Sequence, residues 1–204
     1  YMNIFLQGLT MGLAYVAPIG MQNLFVINSA LTNKRKRALL TALIVIFFDI
    51  TLSLACFFGI GTIMQKFKWL QMVILCVGSL IVIYIGISLL RAKTQDLEKD
   101  QPTMSIKKTI SSACVVTWFN PQAIIDGTMM LGAFHVTLAA GQETPFITGV
   151  ACASFSWFIG LTFLISLISS KFNAKVMRWI NIVCGVIIIG YGIKLFVSFV
   201  QMLL

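Results

Sequence analysis

Two aspartates stand inside long apolar stretches of this chain, with no Lys or Arg close by. Asp49 lies among Phe, Ile and Leu, and Asp126 lies among Ile, Leu and Met. A carboxylate at bilayer depth costs about 2.5 to 3.5 kcal/mol on insertion scales, which packing alone does not explain. Such groups neutralise cations or carry protons, so both residues are expected to bind a positive ligand and to couple its movement to protons. The alternative, protonated carboxyls that hydrogen-bond a neighbouring helix, stays open at this stage.

Two prolines interrupt apolar stretches in corresponding places. Pro18 stands in residues 17–23, Ala-Pro-Ile-Gly-Met-Gln-Asn, and Pro121 follows Asn120. A proline within a helix removes a backbone hydrogen bond, so freed carbonyls could hold a cation while amides at the start of a half-helix could hold a carboxylate. A zwitterionic amino acid presents both groups. A plain proline kink repaired by Asn23 or Asn120 is the alternative.

Further polar and aromatic residues accompany the breaks. Trp118 and Trp157 could offer ring faces to an ammonium group, although packing is the alternative. Ser154 and Asn181 are polar at depth and could equally form interhelical hydrogen bonds. The predicted substrate-binding set is therefore Pro18, Gly20, Gln22, Asn23, Asp49, Trp118, Asn120, Pro121, Asp126, Ser154, Trp157 and Asn181.

The elements that must position these residues are membrane helices. The 204 residues are 59% hydrophobic and 10% charged, whereas soluble proteins carry about 25% charged residues. This composition excludes a soluble globular chain and leaves no room for a catalytic domain, so no enzyme is expected. The five cysteines lie apart in separate apolar stretches and the chain has one histidine, which predicts no metal site and no cofactor.

The apolar stretches predict an all-α integral membrane protein with six transmembrane helices, of which the first and fourth are broken. Two pairs of small residues, Gly8 with Gly12 and Gly149 with Ala153, predict close helix contacts. The predicted segments are residues 4–30, 38–64, 69–90, 109–134, 145–169 and 177–203.

Positive charge predicts the orientation of the chain. The first, third and fifth loops carry 4, 5 and 3 Lys or Arg residues, against 2 in the second loop and none in the fourth. Because cytoplasmic loops retain positive charge, both termini are expected outside, and the net charge of +9 reflects topology and not nucleic-acid binding. The halves then run in opposite directions, which predicts inverted three-helix repeats at residues 1–95 and 107–204 joined by a cytoplasmic linker at 96–106.

The motifs at the breaks resemble those of the bacterial lysine/arginine exporters (LysE/ArgO type) of the LysE superfamily. Pro18-Ile-Gly-Met-Gln-Asn23 is similar to the family signature Pro-x-Gly-Pro-Gln-Asn, with Met21 in place of the second proline. Thr117-Trp-Phe-Asn-Pro121, followed by Asp126 and Gly132, matches a second signature without departure. The resemblance implies a secondary transporter of the bacterial plasma membrane that exports L-lysine or L-arginine at the expense of the proton motive force.

Two other functions are weighed against export of basic amino acids. An exporter of neutral amino acids would not obviously need two carboxylates at depth. A membrane thiol-redox carrier would need a cysteine pair at the breaks, where Ile19, Gly20, Asn120 and Gln122 stand instead. The expected partners are basic amino acids, protons and membrane lipid, and the small-residue faces are compatible with a homodimer.

Overall fold

The computed structural model describes residues 2–59, 66–91, 104–169 and 174–203, and the regular elements within them are all helices. A π-helical turn, Thr128–Gly132, follows the short helix Pro121–Gly127. The α-helices, numbered in chain order, are α1 Met2–Val16, α2 Met21–Thr32, α3 Arg35–Phe57, α4 Lys68–Arg91, α5 Ile106–Trp118, α6 Pro121–Gly127, α7 Ala133–Thr137, α8 Glu143–Ser169 and α9 Ala174–Leu203.

The first apolar segment is broken where the sequence predicts. The last α1 bond runs from the Ala17 amide to the Leu13 carbonyl, and the first α2 bond runs from the Leu24 amide to the Gly20 carbonyl. Between them Pro18 has no amide hydrogen to continue the ladder, and Gly20 is extended (φ −132°, ψ −167°). The axes of α1 and α2 consequently differ by 77°.

The fourth segment is broken differently. α5 ends at Trp118, and Pro121 takes the first position of α6, where a missing amide hydrogen costs nothing. Asn120 caps the new helix through its side-chain oxygen, which accepts from the Ala123 amide at 3.4 Å. The π-helical turn after Gly127 was not predicted, and because it inserts a residue it turns the residues beyond it to another face.

Three helices are individually long and apolar enough to cross a membrane within the described residues: α3, α8 and the part of α9 from Gly185 to Leu203. The bent pair of α1 and α2 passes the same test together, which gives up to four spans. The apolar part of α4, Lys68–Tyr84, is shorter. Six spans arranged as an inverted repeat therefore remain a prediction, as do the domain boundaries, whose linker lies largely outside the described residues.

Glycines set the packing around the centre of the fold. α1 packs on α8 where Gly8 meets the carbonyl of Phe146 and Gly149 meets the carbonyl of Phe5, so the predicted small-residue contacts lie against each other. α4 packs on α9 in the same manner through Gly86 and Gly185. α3 contacts α2, α5, α6 and α8, which makes it the central helix among those described. It ends at Phe57, and residues 60–64 of the predicted segment lie outside the described residues.

Candidate functional site

The Asp49 carboxylate is at the centre of a polar cluster on α3 and has no solvent exposure. Its Oδ1 accepts a hydrogen bond from Gln22 Nε2 at 3.0 Å, and its Oδ2 accepts one from Ser154 Oγ at 2.5 Å. Among the described side chains no Lys, Arg or His lies within ion-pair distance of this carboxylate. A buried carboxylate with two neutral donors and no basic partner is electrostatically uncompensated when it is ionised.

Four helices converge on this cluster. The Gln22 amide also donates to Thr117 Oγ1 at 3.1 Å, and the Thr117 side chain is fully buried. Gln22 belongs to α2, Asp49 to α3, Thr117 to α5 and Ser154 to α8, so residues following one break and preceding the other share one network. Thr117 was missing from the predicted set, although its place directly before Trp118 in the second motif could have indicated it.

Asn23 repairs the first break. Its Nδ2 donates to the carbonyl oxygens of Val16 at 2.9 Å and Pro18 at 2.8 Å, and its Oδ1 accepts from Trp157 Nε1 at 2.8 Å. Carbonyls freed by the break are thus satisfied within the protein, as the alternative interpretation of this proline held. Asn23 and Trp157 therefore hold the bent backbone in place.

The start of α2 differs from the start of α6 in whether a side chain caps the first-turn amides. Gly20 is the N-cap of α2 and supplies no side-chain oxygen, so the first-turn amides receive no side-chain cap. Pro18 is exposed and Gly20 is half-buried, whereas Met21 and Asn23 in the first turn of α2 are buried. At α6, Asn120 provides the cap and Pro121 has no amide hydrogen. The first break is therefore the more favourable of the two for an anionic group, because uncapped helix amides and the positive end of the dipole coincide there.

Asp126 occupies a different environment from Asp49. Its side chain is exposed, and its Oδ1 accepts from Gln122 Nε2 of the preceding turn at 2.8 Å. No hydrogen bond joins the two aspartates. Tyr15 connects α1 to the helix that carries Asp126, because its hydroxyl donates to the Ala123 carbonyl at 3.1 Å.

The remaining predicted residues lie around this arrangement. Trp118 is half-buried, and its Nε1 donates to Thr51 Oγ1 at 3.2 Å. Asn181 lies in α9, but its side chain is outside the described part of the structure, as is that of Pro121. Ser53, one turn beyond Asp49 on α3, was not predicted. Its Oγ is buried and has no hydrogen-bond partner in the described structure, and an isolated serine in an apolar run gave no signal of this.

Replacing Asn23 by alanine should destabilise the protein, because it leaves the Val16 and Pro18 carbonyls and the Trp157 indole without partners. Each unsatisfied buried group costs about 1 to 3 kcal/mol, so the loss of three hydrogen bonds should lower the apparent Tm in detergent by at least about 6 °C. Asn33→Ala is the matched control. It removes a similar amide at the end of α2, where Asn33 Nδ2 bonds the Ser29 carbonyl at 3.1 Å and water can take its place. Equal losses in both variants would contradict the role assigned to Asn23.

Comparison with known proteins gives a consistent set of relatives. A family model described as LysE type translocator matches residues 13–198. The arginine exporter protein ArgO of Klebsiella pneumoniae (strain 342) is 32% identical over 188 residues, which cover 90% of this chain and 88% of that protein. The protein of the same name from Salmonella schwarzengrund (strain CVM19633) is 31% identical over the same shares. No solved structure matches this chain significantly.

Proposed function

The chain belongs to the LysE type translocator family, and from that premise we propose that it exports basic L-amino acids, L-arginine or L-lysine, from the cytoplasm across the bacterial plasma membrane. Its relatives are named arginine exporters, which favours L-arginine. The family and the named relatives support the export of amino acids. The substrate class and the coupling rest on the arguments that follow.

The fully buried Asp49 carboxylate without a basic partner in the described structure is the observation that carries this proposal. When the Asp49 carboxylate is ionised, burial removes its stabilisation by water. The two neutral hydrogen-bond donors replace only part of that stabilisation. A guanidinium or ammonium group supplies the missing positive charge and forms charge-assisted hydrogen bonds with it. The α-ammonium of a neutral amino acid stays next to its carboxylate, whereas a basic side chain carries a second positive charge at a distance. A basic amino acid can therefore reach Asp49 while the α2 amides hold its carboxylate, and this favours a basic side chain.

The substrate carboxylate is assigned to the first turn of α2. Gln22 connects that turn to Asp49, since it lies in the turn and donates to the carboxylate at 3.0 Å. An amino acid placed along Gln22 directs its carboxylate to the α2 amides and its cationic group to Asp49. The predicted residues at the second break, Asn120 and Pro121, shape the opposite wall.

Proton coupling is proposed at the short hydrogen bond between Asp49 and Ser154. A serine hydroxyl donates to an ionised carboxylate and can accept from a protonated one, so the same pair accommodates both states. Asp49 then binds a proton or the cationic substrate but not both, which gives one-for-one exchange. Such exchange cancels the moving charge, which otherwise costs about 2.3 kcal/mol per 100 mV. Asp126 is proposed as the second proton carrier, because it is exposed and directly precedes Gly127, which lies against the Tyr15 hydroxyl.

Alternating access between two inverted repeats is the proposed movement, with both termini outside. The contacts support it: α3 packs on α8 and α4 packs on α9, which are the pairs that a two-fold relation between the halves would bring together. The α1–α8 contact has its counterpart in the α3–α5 contact. On the proposed cytoplasmic side, an Arg37 guanidinium nitrogen donates to Thr109 Oγ1 and to the Met104 carbonyl, both at 2.7 Å.

Counterflow in proteoliposomes tests the proposed substrate class. Vesicles loaded with unlabelled L-arginine should accumulate labelled L-arginine, and external L-lysine should compete while L-leucine and L-threonine should not. An imposed pH gradient should drive uptake in the absence of a membrane potential. Competition by neutral amino acids would favour the neutral exporter, and uptake that responds to voltage but not to the pH gradient would contradict one-for-one proton exchange.

A further inference from the structure

Tyr15 fastens the two broken segments to each other. It lies in the last turn of α1, and its hydroxyl donates to the carbonyl of Ala123 in the first turn of α6, 108 residues away. Each of these turns adjoins a helix break. The Tyr15 ring packs against two separate parts of the apolar core, one around Val16 and Phe25 and one around Phe57 and Phe146. Because the ring is packed against both parts, the Tyr15 hydroxyl is held in a fixed position between the two breaks.

A close contact with α3 completes this junction at Gly127. A Cβ atom placed on Gly127 would lie 2.8 Å from Cys56 Sγ and 3.1 Å from the Tyr15 hydroxyl oxygen. The Cys56 thiol also lies 3.6 Å from the Ile124 carbonyl, and the Cys56 side chain has no solvent exposure. α1, α3 and α6 therefore meet where no additional side chain fits. We name Tyr15, Cys56 and Gly127 the three-helix seal.

The three-helix seal adjoins both aspartates along their own helices, since Gly127 directly follows Asp126 on α6. Cys56 follows Asp49 by seven residues on α3, which is about 10 Å along the helix toward its end. Asp49 is fully buried, whereas Asp126, one residue before Gly127, is exposed. Ser53 lies between Asp49 and Cys56 on α3, and its hydroxyl is buried and without a hydrogen-bond partner in the described structure. The part of α3 between Asp49 and the seal therefore contains a hydroxyl group that is available for hydrogen bonding.

From this geometry we infer that Tyr15 is a gating residue of the transport cycle: its hydroxyl bond to Ala123 closes the route between Asp49 and the side of the membrane that carries Asp126. The inference rests on the proposed function for the direction of movement, since that side is the outer one in the proposed orientation. For the substrate to leave, α6 separates from the end of α1, the bond to Ala123 breaks and Ser53 becomes accessible. Tyr15 acts through the position of α6 and does not need to touch the substrate.

Tyr15→Phe tests the gate because it keeps the ring and removes only the hydroxyl. Loss of one neutral hydrogen bond shifts a two-state equilibrium by about fivefold, so the open population should rise by that factor. Cys56 reports the opening, because it is sealed in the closed arrangement. The purified full chain in nanodiscs, without substrate, is treated with a sulfonated thiosulfonate reagent, and modification of Cys56 is followed by peptide mass spectrometry. The rate at Cys56 should rise about fivefold over the unchanged protein.

Two controls separate gating from general loosening. Tyr84→Phe removes a hydroxyl from an exposed tyrosine of α4 and should leave the Cys56 rate unchanged. Cys152 of α8, which is half-buried, should react at the same rate in all three proteins. An unchanged rate at Cys56 in Tyr15→Phe, or an equal rise at Cys152, would overturn the inference. Because the assay contains no amino acid, its result does not depend on the substrate, and failure of L-arginine counterflow would count against the proposed function alone.

Discussion

Asp49→Asn is expected to abolish L-arginine counterflow while the protein remains inserted and folded. Asparagine has nearly the same shape and can still accept from Gln22 or Ser154, but it carries no charge for a guanidinium and cannot exchange a proton. Removing one partner of a buried charged pair costs about 2 to 5 kcal/mol, which corresponds to a loss of roughly 30-fold to more than 1,000-fold in transport. The measurement is the initial rate of labelled L-arginine uptake per amount of reconstituted protein.

The control for Asp49→Asn is Glu143→Gln. Glu143 is an acid at the start of α8 with a side chain 46% exposed and 4.0 Å from His135, and it should be dispensable for uptake. The apparent Tm of Asp49→Asn should equal or exceed that of the unchanged protein, because the variant no longer buries an uncompensated charge. Uptake near the unchanged rate in both Asp49→Asn and Asp126→Asn would show that the carboxylates are structural.

Local chemistry made the helix breaks and the position of Asp49 deep in an apolar helix predictable. A proline within an apolar run breaks the ladder wherever it occurs, and an acid surrounded by apolar residues needs a reason to be there. The hydrogen-bond partners of Asp49 could not be predicted in this way. Ser154 lies 105 residues further along the chain, and it meets the carboxylate because α3 packs on α8. Sequence spacing indicates which residues share a helix face, but not which face of a second helix lies opposite.

The two aspartates show the same limit of sequence-based prediction, because sequence alone does not show which other helices surround each of them. Their sequence contexts are alike, yet Asp49 is sealed in the centre and Asp126 is exposed. The difference arises because α3 is surrounded by other helices, whereas α6 has only seven residues before the π-helical turn changes the direction of its faces. That turn has no signature in residue type. Tyr15 escaped prediction for a related reason, since a tyrosine in an apolar helix is unremarkable until its hydroxyl is seen to join two breaks.

The first break positions Gln22 and Asn23 only if α1 keeps its place on α8, and Gly149 makes that contact possible. A Cβ atom at Gly149 would overlap the Phe5 carbonyl and lie 2.6 Å from the Leu9 amide nitrogen. Backbone atoms of α1 cannot move aside as a flexible side chain can. Any side chain at this position must therefore move the whole helix, and Tyr15 and the carbonyl of Val16 would move with it.

Gly149→Leu should consequently lower the apparent Tm in detergent by at least about 10 °C, because overpacking against backbone costs about 3 kcal/mol or more. Gly160→Leu is the matched control on the same helix. A Cβ atom there would meet nothing within 4 Å, so leucine should hold or raise the Tm through its better helix propensity. A similar fall in both variants would mean that glycine serves helix flexibility and not contact. A fall confined to Gly149→Leu would show that the close approach of α1 to α8 stabilises the fold in which the first break is set.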